Sequence, residues 1–359
     1  MSKPISKYLS RKIKFVSVFA MFAIVFVNSY NYGNGTLMPY STTKTGVNPA
    51  EMFEFFFSNC LFAFAVPIFF IFSGFLFFIK YENSVQGYFR KIQRRIFPLL
   101  VPYVIWAILS GIAIILLSYY ENFKDLKFIK DNLVGLDRFY VYLINPPAYQ
   151  LWFLRQVMLL VVLAPIIYLL VKYTKAFILM PFCALWFFNI DYIINSQALF
   201  YFSVGASFAI FGKWRNFTKR DNRIQAGFFS TLWVIFSFWN LFLASFTKET
   251  IAINFVHKLT EVAGIAGMWL LFDHIVKLMV NKKFFLLASA HLFFVYALHE
   301  PLLSISYQLA FLPDSSDSSH FVLYICLPIS IIPICLIISM VVRKLLRPVH
   351  KLMTGGRNN

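Results

Sequence analysis

Apolar runs of about twenty residues recur ten times along this chain, and nothing else in the sequence restricts its fold so much. They fall at about residues 13–32, 53–79, 98–119, 151–171, 177–194, 198–212, 224–246, 255–280, 284–307 and 321–342, the fifth and sixth being the shortest. A helix rising about 1.5 Å per residue needs about twenty residues to cross a hydrocarbon core of about 30 Å. Within hydrocarbon every backbone N–H and C=O must be bonded inside the protein, a condition that helices meet on their own. The expectation is an all-α, polytopic transmembrane helix bundle of about ten helices. Composition agrees: hydrophobic residues make up 60% of the chain and charged residues 13%, and phenylalanine alone contributes 45 of its 359 residues. A soluble α/β or all-β fold could not hide that much apolar surface, so side chains must face lipid as well as one another.

The formal net charge of +18 would suggest nucleic acid in a soluble protein, but the basic residues sit in short clusters between the apolar runs. With the N-terminus in the cytoplasm, segments 1–14, 80–97, 172–175, 213–223, 277–283 and 343–359 carry 25 of the 33 Lys and Arg on that side. Both termini are therefore expected in the cytoplasm, with the cations serving as topology signals and lipid anchors and no nucleic-acid partner. Two long outer loops, 33–52 and 122–150, are the natural substrate-facing segments. Cys60, Cys183, Cys326 and Cys335 have no Cys-x-x-Cys spacing, so neither a disulfide framework nor a metal site is expected. The basic, apolar start lacks a small-residue cleavage pattern and is expected to remain as the first span. No tandem repeat or attached soluble module is evident, which leaves one transmembrane domain over residues 1–359.

Four segments could carry chemistry. AVPIFFIFSGFLFF places Ser73 and Gly74 among aromatics in the second span, where small residues allow close helix approach. YFRKIQRRIFPLLVPY sets Arg90 and Arg94, and likewise Lys91 and Arg95, one helical turn apart. Such a face suits either the phosphates of a nucleotide-like donor or anionic lipid. AYQLWFLRQVMLL puts Trp152 at an interface and Arg155 about one turn deeper, where a guanidinium needs a partner or water. SAHLFFVYALHEPLL brings Tyr296, His299 and Glu300 to the outer end of the ninth span, and imidazole beside carboxylate suits proton transfer.

Taken in order, these segments resemble the bacterial membrane acyltransferase family called acyltransferase 3. The resemblance runs through KFVSVFAMFAIVFVNSYN, VPIFFIFSGFLF, RKIQRRIFPLLVPYVIW, LWFLRQVMLLVVLAPIIY, YFSVGASFAI and FVYALHEPLL. It implies a protein of the bacterial cytoplasmic membrane that takes an acyl group, acetyl or succinyl, from cytoplasmic acyl-CoA, with acetyl-CoA the foremost donor. The acceptor would be a hydroxyl of a cell-surface polysaccharide or lipid-linked glycan. Arg90, Arg94 and Arg95 would lie near the donor phosphates, Ser73 and Gly74 along the acyl path, and Trp152 and Arg155 at the acceptor side. Members generally carry a histidine near the end of the first span, where this chain has Asn28, and an arginine eleven residues earlier, where it has Ser17. An amide can hold a hydroxyl but cannot accept its proton at neutral pH. Counting about 1.5 Å per residue, Asn28 lies about 21 Å beyond Lys14 and His299 about 22 Å beyond Phe284, so the two can share one layer. His299, supported by Glu300, is thus expected either to replace the missing base or to form the other half of the site, and a relative that exports or flips glycan without catalysis is the alternative.

Overall fold

The computed structural model describes residues 5–30, 49–79, 81, 84–120, 133, 140–212, 223–247, 250–279, 283–310 and 317–356. Most of both expected outer loops and most of the basic segment 213–223 lie outside them. Among the described residues the regular elements are helices, with no strand. They are α1 (Lys7–Ser29), α2 (Pro49–Phe55), α3 (Ala65–Phe78), α4 (Val85–Ser118), α5 (Val141–Ile144), α6 (Leu151–Val162) and α7 (Ala164–Tyr173). After these come α8 (Leu179–Phe187), α9 (Ser196–Ile210), α10 (Arg223–Phe246), α11 (Thr250–Met279), α12 (Lys283–Ala310), α13 (Asp317–Leu345) and α14 (Arg347–Met353). A π-helical turn, Phe56–Leu61, succeeds α2 and carries Ser58, Asn59 and Cys60, all buried.

Among the described residues seven helices are long and apolar enough to cross a membrane, and the pair α6 and α7, bent by 63°, makes up to an eighth. The bend has a local cause: Pro165 stands in the first turn of α7 and has no N–H to offer the turn before it. The fifth and sixth apolar runs hold shorter helices, α8 of 9 residues and α9 of 15. Lys175 and Ala176 before α8 and Asn189 after it take positive φ, which halts helix growth.

The chain divides into two compact units. Unit 1 comprises Met1–Ile24, Thr42–Gln93 and Gln156–Ser289; unit 2 comprises Val25–Ser41, Arg94–Arg155 and Ala290–Asn359. In unit 1, α3 and α9 touch backbone to backbone. A Cβ on Gly74 would stand 2.1 Å from the Phe202 carbonyl oxygen, and one on Gly205 2.1 Å from that of Ile71. Apolar helices in lipid associate through such small-residue contacts, because burial from lipid gives little drive by itself. Lys12, only 2% exposed, is held at 2.6 Å by Asp273, which also accepts from the Tyr8 hydroxyl at 2.6 Å. The Lys12 ammonium lies 3.9 Å from the ring centroid of Trp269. A cavity of ≈ 460 Å³ in the same unit is lined by Ile71, Phe72, Phe75, Phe208 and Trp269 among others.

In unit 2 the C-terminal helix is tied down by side chains. His350 on α14 and His291 on α12 share the hydroxyl of Ser339 on α13, at 3.0 and 2.7 Å. The Trp106 indole donates to the Met353 carbonyl at 3.0 Å. Gly355 (φ +62°) presses on Pro98, whose Cα would lie 2.4 Å from an added Cβ. Outward-facing Leu100, Ile112 and Leu116 on α4 are apolar, as lipid-facing positions should be.

Candidate functional site

Unit 2 brings Asn28, from the end of α1, against His299 of α12. The Asn28 amide nitrogen lies 2.9 Å from His299 Nε2, and the imidazole is fully buried. His299 Nδ1 faces two carbonyl oxygens one turn back, Val295 at 3.1 Å and Tyr296 at 2.9 Å. Carbonyls only accept, so Nδ1 carries the hydrogen and Nε2 presents its lone pair, which receives the Asn28 N–H. The side chain is thus a neutral, oriented imidazole whose basic nitrogen is engaged by an amide. Its ring is steered by carbonyls of its own helix.

Pro301 gives this helix its shape. Lacking an N–H, it cannot bond the Ala297 carbonyl four residues back. The Gln150 side chain replaces that donor, with Nε2 at 2.7 Å from the Ala297 oxygen. The Tyr296 hydroxyl in turn donates to the Gln150 carbonyl at 2.6 Å. Segment 149–150 is therefore fastened to the turn that carries His299. Glu300, buried, accepts from the Ser304 hydroxyl at 2.6 Å. Burial first, and the Glu300 carboxylate second, push the Tyr149 phenol up to about 12, so it stays a neutral donor near neutrality.

Arg155, half-buried, donates to the Ile144 carbonyl at 2.9 Å and closes the turn between α5 and α6. Trp152 packs edge-on against Phe153, whose ring meets that of Tyr296 at 6.1 Å. Trp152, Arg155, Tyr296, His299, Glu300 and Asn28 all belong to unit 2. The basic cluster is divided, with Arg90 in unit 1 and Arg94 and Arg95 in unit 2. Arg90 bonds back to the Gln86 carbonyl at 3.4 Å, and Lys91 bonds the Phe77 carbonyl. Ser73 is half-buried and Gly74 serves the α3 and α9 contact; neither lines the unit 1 cavity.

Sequence reasoning passed over the buried ionisable groups of unit 1. His257 and Glu261, four residues apart on α11, were visible as an i, i+4 pair inside an apolar run. Lys12 and Asp273 gave no such signal, because their pairing joins the two ends of the unit's sequence.

An all-helical, membrane-spanning protein with a buried neutral imidazole facing an amide defines the class. A family model described as an acyltransferase domain matches residues 12–342, nearly the whole chain. The chain belongs to that family, acyltransferase 3, and is a membrane acyltransferase in the general sense the family defines. No curated protein and no solved structure matches it.

Proposed function

We propose that this acyltransferase moves an acetyl or succinyl group from cytoplasmic acyl-CoA, acetyl-CoA foremost, to a hydroxyl of an extracytoplasmic glycan at the bacterial cytoplasmic membrane. The observation that supports it most is the Asn28 and His299 contact, which gives the buried site an oriented nitrogen lone pair. In the reaction the acceptor hydroxyl takes the place of the Asn28 N–H at His299 Nε2. Its oxygen attacks the thioester carbonyl, its proton passes to Nε2, and the thiolate leaves and is protonated to free CoA. Asn28, turned aside, holds the hydroxyl oxygen through its amide, which orients the acceptor while His299 does the proton transfer. Tyr296, Trp152 and Arg155 border the acceptor, Glu300 lies beside the base in sequence, and Arg90, Arg94 and Arg95 attract the donor phosphates.

Glycan analysis of cells with and without the gene tests this: an acyl ester should disappear with the gene and with His299→Ala. Esterification that survives His299→Ala removes the proposal. A second reading, a relative without catalysis that exports or flips a cell-surface polysaccharide, draws on the same contact, since the amide fills the nitrogen a base would need free. Asn28→His separates the two. A gain in acyl transfer favours the enzyme, and lost surface polysaccharide with unchanged esters favours the transporter.

A further inference from the structure

Unit 1 contains a polar cluster that the proposed acyl transfer does not use. On α11, His257 Nε2 lies 3.4 Å from Glu261 Oε1. Glu261 also accepts from Gln197 Nε2 at 2.7 Å and from the Tyr201 hydroxyl at 3.2 Å, both on α9. The Asn240 amide nitrogen of α10 stands 3.4 Å from His257 Nδ1. Next in sequence, the Lys258 ammonium lies 4.9 Å over the Trp186 ring. Glu261 is 1% exposed, and His257 and Lys258 are each 7% exposed. Ionisable groups within membrane-spanning helices are costly to keep, and they commonly mark ion or proton sites.

Hydrogen-bond accounting separates this cluster from a merely structural one. Asn59 Nδ2, Asn240 Oδ1 and Trp186 Nε1 are buried and have no hydrogen-bond partner among the described residues. Buried polar atoms are nearly always paired, so the open acceptor of Asn240 beside His257 and the open indole donor of Trp186 beneath Lys258 are groups that water can satisfy. Asn240 also meets the side chain of Cys60, which neighbours Asn59 in the π-helical turn. Turns of this kind occur mostly where a helix has been reshaped for function.

The charges allow one proton to come and go. With His257 neutral, the Lys258 cation and Glu261 anion offset each other. A proton added to His257 lies against the Glu261 carboxylate, which the Gln197 and Tyr201 donors hold as an acceptor. The titratable neighbours are Lys258 on α11, Tyr201 on α9, Cys183 on α8 within electrostatic reach of Tyr201, and Cys60 in the π-helical turn; α10 presents the neutral Asn240. Both His257 contacts, at 3.4 Å, are long enough for the imidazole to change partners without unfolding its surroundings.

We propose that His257 and Glu261 form a membrane-embedded site that binds and releases one proton. The site does not depend on acyl transfer. The test is infrared difference spectroscopy of the full chain in lipid nanodiscs between about pH 8 and about pH 5. Wild type should show linked imidazole and carboxyl bands. Glu261→Gln should abolish the carboxyl component, and His257→Gln the imidazole component. Spectra of both variants superposing on wild type overturn the proposal. Where a charge variant does not fold, Tyr201→Phe takes its place, since it removes a single hydroxyl from Glu261. It should shift the carboxyl component of the linked bands, and bands that superpose on wild type overturn the proposal as well.

Discussion

His257 and His299 are both buried imidazoles reached by an asparagine amide, yet their second nitrogens meet different groups. In unit 1 His257 Nε2 faces the Glu261 carboxylate at 3.4 Å, whereas in unit 2 His299 Nδ1 faces the carbonyls of Val295 and Tyr296 at 3.1 and 2.9 Å. The contrast extends to neighbouring buried groups, although unit 2 also holds the buried Glu300. Unit 1 keeps buried ions, with Lys12 paired to Asp273 and Lys258 over Trp186. Around His299 and His350, unit 2 uses an amide, carbonyls and a hydroxyl. A full negative charge offsets an imidazolium, while carbonyl dipoles fix a tautomer and leave the ring neutral. The first arrangement suits holding a proton, the second suits taking one briefly from a substrate.

The largest effect that could break this contrast comes from Asp273→Ala. It strands the Lys12 ammonium, which is 2% exposed, and should cost about 3–5 kcal/mol in reversible unfolding of the detergent-solubilised chain. A loss under about 1 kcal/mol would put the pair in the class of exposed ion pairs and remove the charged character assigned to unit 1. Next comes Gln150→Leu, which leaves the Ala297 carbonyl without the donor that Pro301 fails to supply. About 1–3 kcal/mol should be lost in the same assay, the usual cost of an unsatisfied buried acceptor. Asn28→Leu likewise leaves the buried His299 Nε2 without its donor and should cost no more, about 1–3 kcal/mol. A much larger loss would mean that His299 carries charge, and the two units would then be alike.

The smallest effect is a pH dependence at the C-terminal helix. Burial above all, then His291 and Arg343, hold the His350 imidazole below its ordinary value. A histidine whose value is lowered on folding contributes stability that is whole above the ordinary value of about 6.5 and is lost as the pH falls. Amide exchange in 347–356, corrected for intrinsic rates, should therefore quicken between about pH 7.5 and about pH 5 relative to the body of α13. Equal protection at both pH values would show that the Ser339 bridge does not depend on a neutral ring.

The membrane-spanning, all-helical character was legible because apolar length and backbone satisfaction leave few alternatives, and the ordered segments carried the family. Span boundaries were less so. Residues 177–194 are apolar apart from Asn189 and Asp191, but left-handed backbone at Ala176 and Asn189 confines α8 to 9 residues, and hydropathy does not register such turns. Asn28 and His299 could be placed in one layer from helix rise alone, and the structure brings them into direct contact. Gln150 stayed hidden because its role depends on a proline 151 positions later along the chain. Lys12 was counted among the cationic topology signals near the N-terminus, although its ammonium is buried against Asp273. Sequence position gave its charge and could not give its partner.

The wide turn at Phe56–Leu61 amounts to one surplus amino acid accommodated within a helical rod. Deleting a single residue there would let the rod close to ordinary pitch with little change in the facing of the helix on either side, since the widened turn is what absorbs the extra residue. The turn that carries Asn59 and Cys60 would itself be lost, while the length of the span would shrink by only about 1.5 Å. One codon thus separates a widened turn from an ordinary one in the same stretch of helix.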